Sequence, residues 1–348
     1  MRGLSFVVIT AAVTATASGT AGAQSVADFY RGKTINMTIS SGEGGTNDAY
    51  ARLIAEQLGK FIPGNPLIIP RNMPGAGGLK AANYMYEIAS KDGLSYGIVQ
   101  RGTAVQPIMD IQSANYDPSK FNWIGSTARE TSVGVVWNAW TPVRSIQEAM
   151  KTEVIVGSSG VGNDTGGFPL VLNYFLGTKF KLIHGYKSGS EISLAMERGE
   201  VQSRIGWSWG SLTSRSSELL RDKKVTVLIQ MGVEKAADLP DVPLVLDLAK
   251  TPEDRDAMEL IFAATTIGWP SIMPPGVPKD RVAAIRTAYN QMVASPEFKA
   301  QAEKRNLELD PVTGEQIDKI VARIMSFPKP VVERAQRAMN AAAAAEGK

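Results

Sequence analysis

Ser40-Ser41-Gly42-Glu43-Gly44-Gly45-Thr46-Asn47-Asp48 stands between an apolar alternation and a helical repeat, and the reading of this polar, glycine-rich stretch decides the fold. Ahead of it, Ile35, Met37 and Ile39 alternate with Asn36, Thr38 and Ser40, the period of two of a strand. Behind it, Tyr50, Leu53, Ile54, Leu58 and Phe61 recur at spacings of three and four, and Thr46, Asn47 and Asp48 are residue types that cap a helix start. A strand-to-helix junction points unpaired backbone N–H groups and the positive end of the helix dipole into the space above the strand, where an anion can be held. Glycine lets a ligand approach such a main chain without a Cβ in the way. Taken alone, a tight turn with no ligand explains the stretch equally well.

The same unit recurs along the chain. Pro63-Gly64-Asn65-Pro66 turns into the short strand Leu67-Ile68-Ile69, and Pro74-Gly75-Ala76-Gly77-Gly78 leads into a helix over 79–89 and a strand over 96–99. From Tyr116-Asp117-Pro118 two apolar segments, 123–126 and 133–137, follow one another without a helix between them, which marks a crossing into a second lobe. There the opening theme returns: Val154-Ile155-Val156 is a strand, 157–167 its glycine cradle, and a helix is expected over 168–176 with Pro169 in its first turn. A helix over 191–198, a strand over 201–205 ending in Gly206-Trp207-Ser208-Trp209-Gly210, and a strand over 225–231 complete that lobe. Residues 263–273 make the return crossing, and helices start at Pro278 and Thr313. Strands alternating with helices predict an α/β protein of two lobes, each a mainly parallel sheet flanked by helices, with a ligand cleft between them. The expected division is 24–128 with 269–348 for the first lobe and 129–268 for the second.

Arg2, an apolar run over 4–13 and the small residues Ala21-Gly22-Ala23 read as a secretory signal peptide over 1–23, cleaved to leave Gln24 first in an exported, soluble chain. The chain has no cysteine, so disulfides and thiol chemistry are excluded, and its single histidine, His184, excludes a multi-histidine metal centre; no cofactor, metal or catalytic residue is expected. With 37 basic and 34 acidic residues it lacks the concentrated basic face of a nucleic-acid partner.

Two glycine turns, one per lobe, describe a clamshell whose jaws both present backbone donors beyond the carboxyl ends of their strands. The candidate ligand contacts are Ser40, Ser41, Gly44, Gly45, Thr46 and Asn47 on the first turn and Ser159, Gly160, Val161, Gly162, Asn163, Asp164 and Thr165 on the second. Arg101, at the end of its strand, and Arg204 are candidates for pairing with a second carboxylate, the alternative being surface arginines. Trp207 or Trp209 is a candidate to stack on a ligand and Tyr186 to donate its hydroxyl, with core packing the other reading of the tryptophans. Ser158 or Ser159 with His184 and Asp164 spells a remote hydrolase alternative. No G-x-S-x-G nucleophile elbow, phosphate-binding G-x-x-x-x-G-K-[ST] or dinucleotide G-x-G-x-x-G is expected at these turns.

The ensemble Gly44-Gly45-Thr46-Asn47-Asp48, Ala51-Arg52, Pro74-Gly75-Ala76-Gly77-Gly78, Asp92-Gly93, Tyr116-Asp117-Pro118, Gly157-Ser158-Ser159-Gly160-Val161-Gly162, Tyr186-Lys187-Ser188-Gly189-Ser190, Leu239-Pro240-Asp241-Val242-Pro243 and Pro275-Gly276-Val277-Pro278-Lys279 resembles the Bug-type periplasmic solute receptors of tripartite tricarboxylate transporters. The resemblance spans the whole mature chain. It implies a type II periplasmic-binding-protein fold that closes on a small organic acid, holds its carboxylate mainly by amides and waters of the two glycine turns, and hands it as a monomer to the membrane subunits of a transporter. A sensor serving a signalling partner is the nearest alternative. Glu43 beside the first glycine pair and Gly166, where the family commonly has a histidine, are departures from its pattern.

Overall fold

The alternation ahead of the first glycine turn forms the strand around which one of two sheets is built. The computed structural model describes residues 25–109, 113–160 and 163–346, with only the helical backbone described over 341–346. The expected signal peptide, Gln24, Val161 and Gly162 therefore lie outside the described residues. The strands are β1 (Thr34–Ile39), β2 (Leu67–Asn72), β3 (Ser95–Ile98), β4 (Asn122–Ser126), β5 (Ser132–Trp137), β6 (Val154–Gly157), β7 (Phe180–Ile183), β8 (Ser203–Ser208), β9 (Val225–Met231), β10 (Pro270–Met273) and β11 (Val312–Thr313). They form a six-stranded sheet ordered β11-β4-β10-β3-β1-β2 and a five-stranded sheet ordered β7-β6-β8-β5-β9.

Within each sheet the strands joined through helices pair in parallel: β1 with β2 and β3, and β6 with β7 and β8. The first strand after each crossing runs the other way. β10 lies antiparallel between β3 and β4, and β5 antiparallel between β8 and β9, so both sheets are mixed. A chain that leaves one sheet for the other and returns enters each from the far end, which reverses those strands.

Ile35, Met37 and Ile39 of β1 are buried, and the helix Thr46–Gln57 lays Tyr50, Leu53 and Ile54 against the same core. Burying each such side chain stabilises the fold by about 1.5–3 kcal/mol. This helix ends at Gln57 and passes through one 3-10 turn, so Phe61 falls beyond it.

In the second lobe the helix runs Asp164–Leu176, four residues earlier than its apolar pattern indicates, because Asn163 caps it by accepting from the Thr165 N–H at 2.9 Å. The glycine-rich residues up to Gly167 are thus its first turn, and Pro169 lies inside the helix. Phe168, Leu170, Val171, Leu172, Phe175 and Leu176 are all buried, covering the helix on nearly every side. One flank is covered by the last helix, Lys329–Glu346, which packs on Asp164–Leu176 and on Pro252–Phe262. Its buried Ala335 and Ala338 allow close approach, and Arg334 Nε donates to Asp254 at 2.8 Å. The tail assigned from sequence to the first lobe therefore ends against helices of the second.

Candidate functional site

Both glycine turns open onto one cleft of about 750 Å³ between the sheets. On the first turn Asp48, itself buried, acts as a strut. It accepts from Gly44 N–H at 3.0 Å, from Arg52 Nε at 3.0 Å and from Asn72 Nδ2 at 2.8 Å, while Asn72 also donates to the Ser41 carbonyl at 2.9 Å. Burial alone would raise the Asp48 pKa, and the bonds from Arg52, Asn72 and Gly44 outweigh it and hold the carboxyl below its ordinary value. The Gly44 amide is thereby taken, and Gly44 is absent from the cleft wall, unlike Ser40, Ser41, Gly45, Thr46 and Asn47. Glu43 is exposed and points no charge into the wall.

The second turn also uses its own amides. Ser159 N–H donates to Thr165 Oγ1 at 3.1 Å and Gly160 N–H to Ser158 Oγ at 3.0 Å, so these donors, with that of Thr165, are spent within the loop. Ser159, Asn163, Asp164 and Thr165 line the cleft, whereas Gly160 backs onto the Pro74–Gly78 turn of the other lobe. On these two turns the amides of Gly44, Ser159, Gly160 and Thr165 are thus engaged within the protein.

Arg101 lies on the 3-10 turn that follows β3, is 5% exposed, and directs Nε to Asp164 Oδ2 at 2.6 Å across the lobes. Its guanidinium carbon stands 5.4 Å from the Trp269 ring. Arg204, on β8, donates Nη1 to the Gly189 carbonyl and to Ser193 Oγ, both at 3.1 Å, and lies 4.2 Å over the Trp207 ring. Among the described residues no carboxylate pairs with Arg204. Burial and the neighbouring Arg101 charge push its pKa down to about 9. Three buried nitrogens on residues of this wall have no hydrogen-bond partner: Asn47 Nδ2, Arg101 Nη1 and Arg204 Nε. Burial pushes the Asp164 carboxyl up, and the Arg101 charge opposes it. Glu130, next to this pair and also raised by burial, accepts from Trp269 Nε1 at 2.6 Å and from Ser208 Oγ. An anion entering this cleft would meet a wall that carries both Arg101 and Arg204.

The jaws touch through short polar contacts. Gly77 N–H donates to the Ser159 carbonyl at 3.2 Å, Gly42 N–H to the Lys187 carbonyl at 3.0 Å and Ser190 Oγ to the Gly44 carbonyl at 3.0 Å, and the Thr46 and Ser211 hydroxyls lie 2.7 Å apart. Tyr186 lines the mouth half-buried, and Trp207 is a buried wall residue whose face is covered by Arg204. Trp209 instead bonds Asp238 outside the cleft wall. Sequence reasoning missed Gln100, Trp137 and Trp269, which have no local motif.

The hydrolase constellation is not assembled. His184 Nδ1 lies 3.0 Å from Ser158 Oγ, but neither residue lines the cleft and Asp164 is committed to Arg101 and Ser132. Gly206-Trp207-Ser208-Trp209-Gly210 carries the G-x-S-x-G spelling at a strand–helix junction, a signal that the sequence reading passed over. Ser208 has an ordinary φ of −57°, and its side chain caps the following helix at Ser211 N–H and bonds Glu130. The single histidine is bonded to a different serine.

Solved structures share this architecture. The periplasmic binding protein BugD superposes with a TM-score of 0.67 at 18% identity, over 90% of this chain and 99% of that one. MatC from Rhodopseudomonas palustris with bound malate gives 0.67 at 18% identity, over 88% and 99%. A UPF0065 protein from the gbd 5′ region of Cupriavidus necator is 26% identical over 319 residues, 90% of either chain. Residues 50–336 match the model of the tripartite tricarboxylate transporter family receptor, TctC, and the chain belongs to that family.

Proposed function

We propose that the protein is an exported solute receptor that captures a small organic acid between its lobes and delivers it to the membrane subunits of a tripartite tricarboxylate transporter. The observation that carries this reading is a cleft whose wall holds Arg101 and Arg204 and whose jaws are bridged by the Arg101–Asp164 pair and by cross-lobe hydrogen bonds. Malate bound to MatC supports a carboxylate as ligand. The lobes are those built on 24–128 with β10 and β11 and on 129–268, working as a monomer in the periplasm after removal of 1–23. Closure is favoured only to the extent that the ligand binds the closed state better than the open one. Binding without turnover is the expected activity, since the candidate serines are engaged in capping and loop bonds.

A thermal-shift screen of residues 24–348 against carboxylates, amino acids, sugars and neutral aromatics tests the reading. A ligand at a hundredfold excess over Kd adds about 2.7 kcal/mol of apparent stability. Stabilisation confined to carboxylates is expected, and stabilisation by sugars or neutral aromatics alone overturns it.

A further inference from the structure

Part of the cleft volume lies inside the second lobe, as a side groove. The helix Gly189–Glu197 turns Ser190, Ser193, Leu194 and Glu197 toward it, a stripe at spacings of three and four that forms one helical face. The other wall carries Ser211 and Arg215 of the helix Trp209–Arg215 and Leu219 of the helix Ser217–Arg221. The first of these helices packs over β6 and β8 and the last over β9, which leaves the sheet between them as a floor. Arg204 and Trp207 of β8 make the inner floor. Arg204 is tied to the Gly189 carbonyl and Ser193 Oγ at 3.1 Å and lies 4.2 Å over the indole, so this floor is a flat stack. Trp137 lines the outer part, its N–H donating to the Gln202 carbonyl at 2.8 Å beside the start of β8.

Both walls begin at contacts with the first glycine turn, Ser190 Oγ to the Gly44 carbonyl at 3.0 Å and the Ser211 and Thr46 hydroxyls at 2.7 Å. The groove is therefore continuous with the space between the turns. From Ser190 to Glu197 it runs about 10 Å at the helical rise per residue. Leu194 is 50% exposed on its wall, and Leu219 and Trp137 add apolar surface. The exposed Glu197 and Lys224, of opposite sign, stand on the rim. The whole volume of about 750 Å³ suits a drug-sized ligand, for which sites of about 300–1,000 Å³ are usual. An acid small enough to sit between the turns alone leaves the groove to water.

Resting on the carboxylate-receptor reading, we infer that this groove is a second binding compartment, which takes the apolar tail of the acid. The carboxylate stays between the turns, and the tail lies over the Arg204–Trp207 stack between Leu194 and Leu219. The preferred class is a carboxylic acid whose alkyl chain or aryl ring reaches about 10 Å along the groove. Covering Leu194 and Leu219, which water otherwise touches, supplies the gain.

Calorimetric titration of residues 24–348 with straight-chain acids from propionate to decanoate tests this. Affinity is expected to rise about two- to fourfold per added methylene, the scale of one buried CH₂, and to level off once the chain reaches the charged rim. Leu194→Asp and Leu219→Asp, on opposite walls, should flatten that rise until octanoate binds no more than about twofold more tightly than butyrate. Thermal melting of each variant, run alongside, separates lost affinity from lost folding, and the series on the parent protein tests the groove without any variant. Equal affinity along the series, or a rise that both variants retain, overturns this inference alone. If no carboxylate binds, the receptor reading falls and this inference with it.

Discussion

Arg101 Nε and Asp164 Oδ2 lie 2.6 Å apart, joining the loop after β3 in one lobe to the helix start after β6 in the other, with both side chains at least nine-tenths buried. Removing one partner of such a pair leaves the other charge buried and alone, at a cost of about 3–5 kcal/mol. Arg101→Met is therefore expected to lower urea-unfolding stability by that order. Arg101→Met combined with Asp164→Asn should cost less than the sum of the single changes by about 1–3 kcal/mol, and strict additivity would show that the two residues are not coupled.

Gly160 has φ +119°, and a Cβ there would stand 2.9 Å from the Gly77 amide nitrogen of the opposing turn. Gly160→Ala should both strain its own loop and hold the jaws apart, weakening ligand affinity by about tenfold or more. At Gly45 a Cβ would meet Ser188 at an ordinary 3.5 Å, so Gly45→Ala should bind within about threefold of the parent. Calorimetry on the two variants with the same carboxylate makes the comparison.

At the return crossing Gly268 has φ +63°, and a Cβ would run into the Ala128 carbonyl of the outgoing crossing. The backbones of the two hinge segments are packed directly together at that point. Gly268→Ala should destabilise the protein by about 2–4 kcal/mol, read as a lowered denaturation midpoint at unchanged m-value.

The acid limb of stability should carry a contribution from Asp48. Its folded pKa is depressed below the ordinary 3.8 by Arg52, Asn72 and the Gly44 amide acting against burial. The contribution is therefore fully present above the unfolded value and is lost as pH falls through the folded one. Asp48→Asn should flatten the decline of melting temperature below about pH 4. An acid limb as steep as that of the parent would mean that other carboxylates dominate it.

Much of this architecture was legible in local patterns. The alternation of Ile35, Met37 and Ile39, the strand over 225–231 and the helix start at Thr313 each state their element within a few residues, because periodicity and capping are short-range physics. The helix start at Asp164 was hidden, since glycines and an Asn cap replace the apolar repeat there. Antiparallel β10 could not be read from its own residues either, because its direction follows from a hinge crossing that starts more than a hundred residues earlier in the chain.

The sequence by itself determined two α/β lobes, a glycine turn at the mouth of each, and a receptor family whose motifs run the length of the chain. Only the tertiary structure decided which donors remain for a ligand. Asp48 takes the Gly44 amide, Thr165 takes that of Ser159, and Asp164 pairs with Arg101, while Arg204 is left to neutral partners. A hydrogen bond is exhausted or left open by whatever atom folding brings within about 3 Å, and for the decisive pairs that atom belongs to a segment far away in sequence.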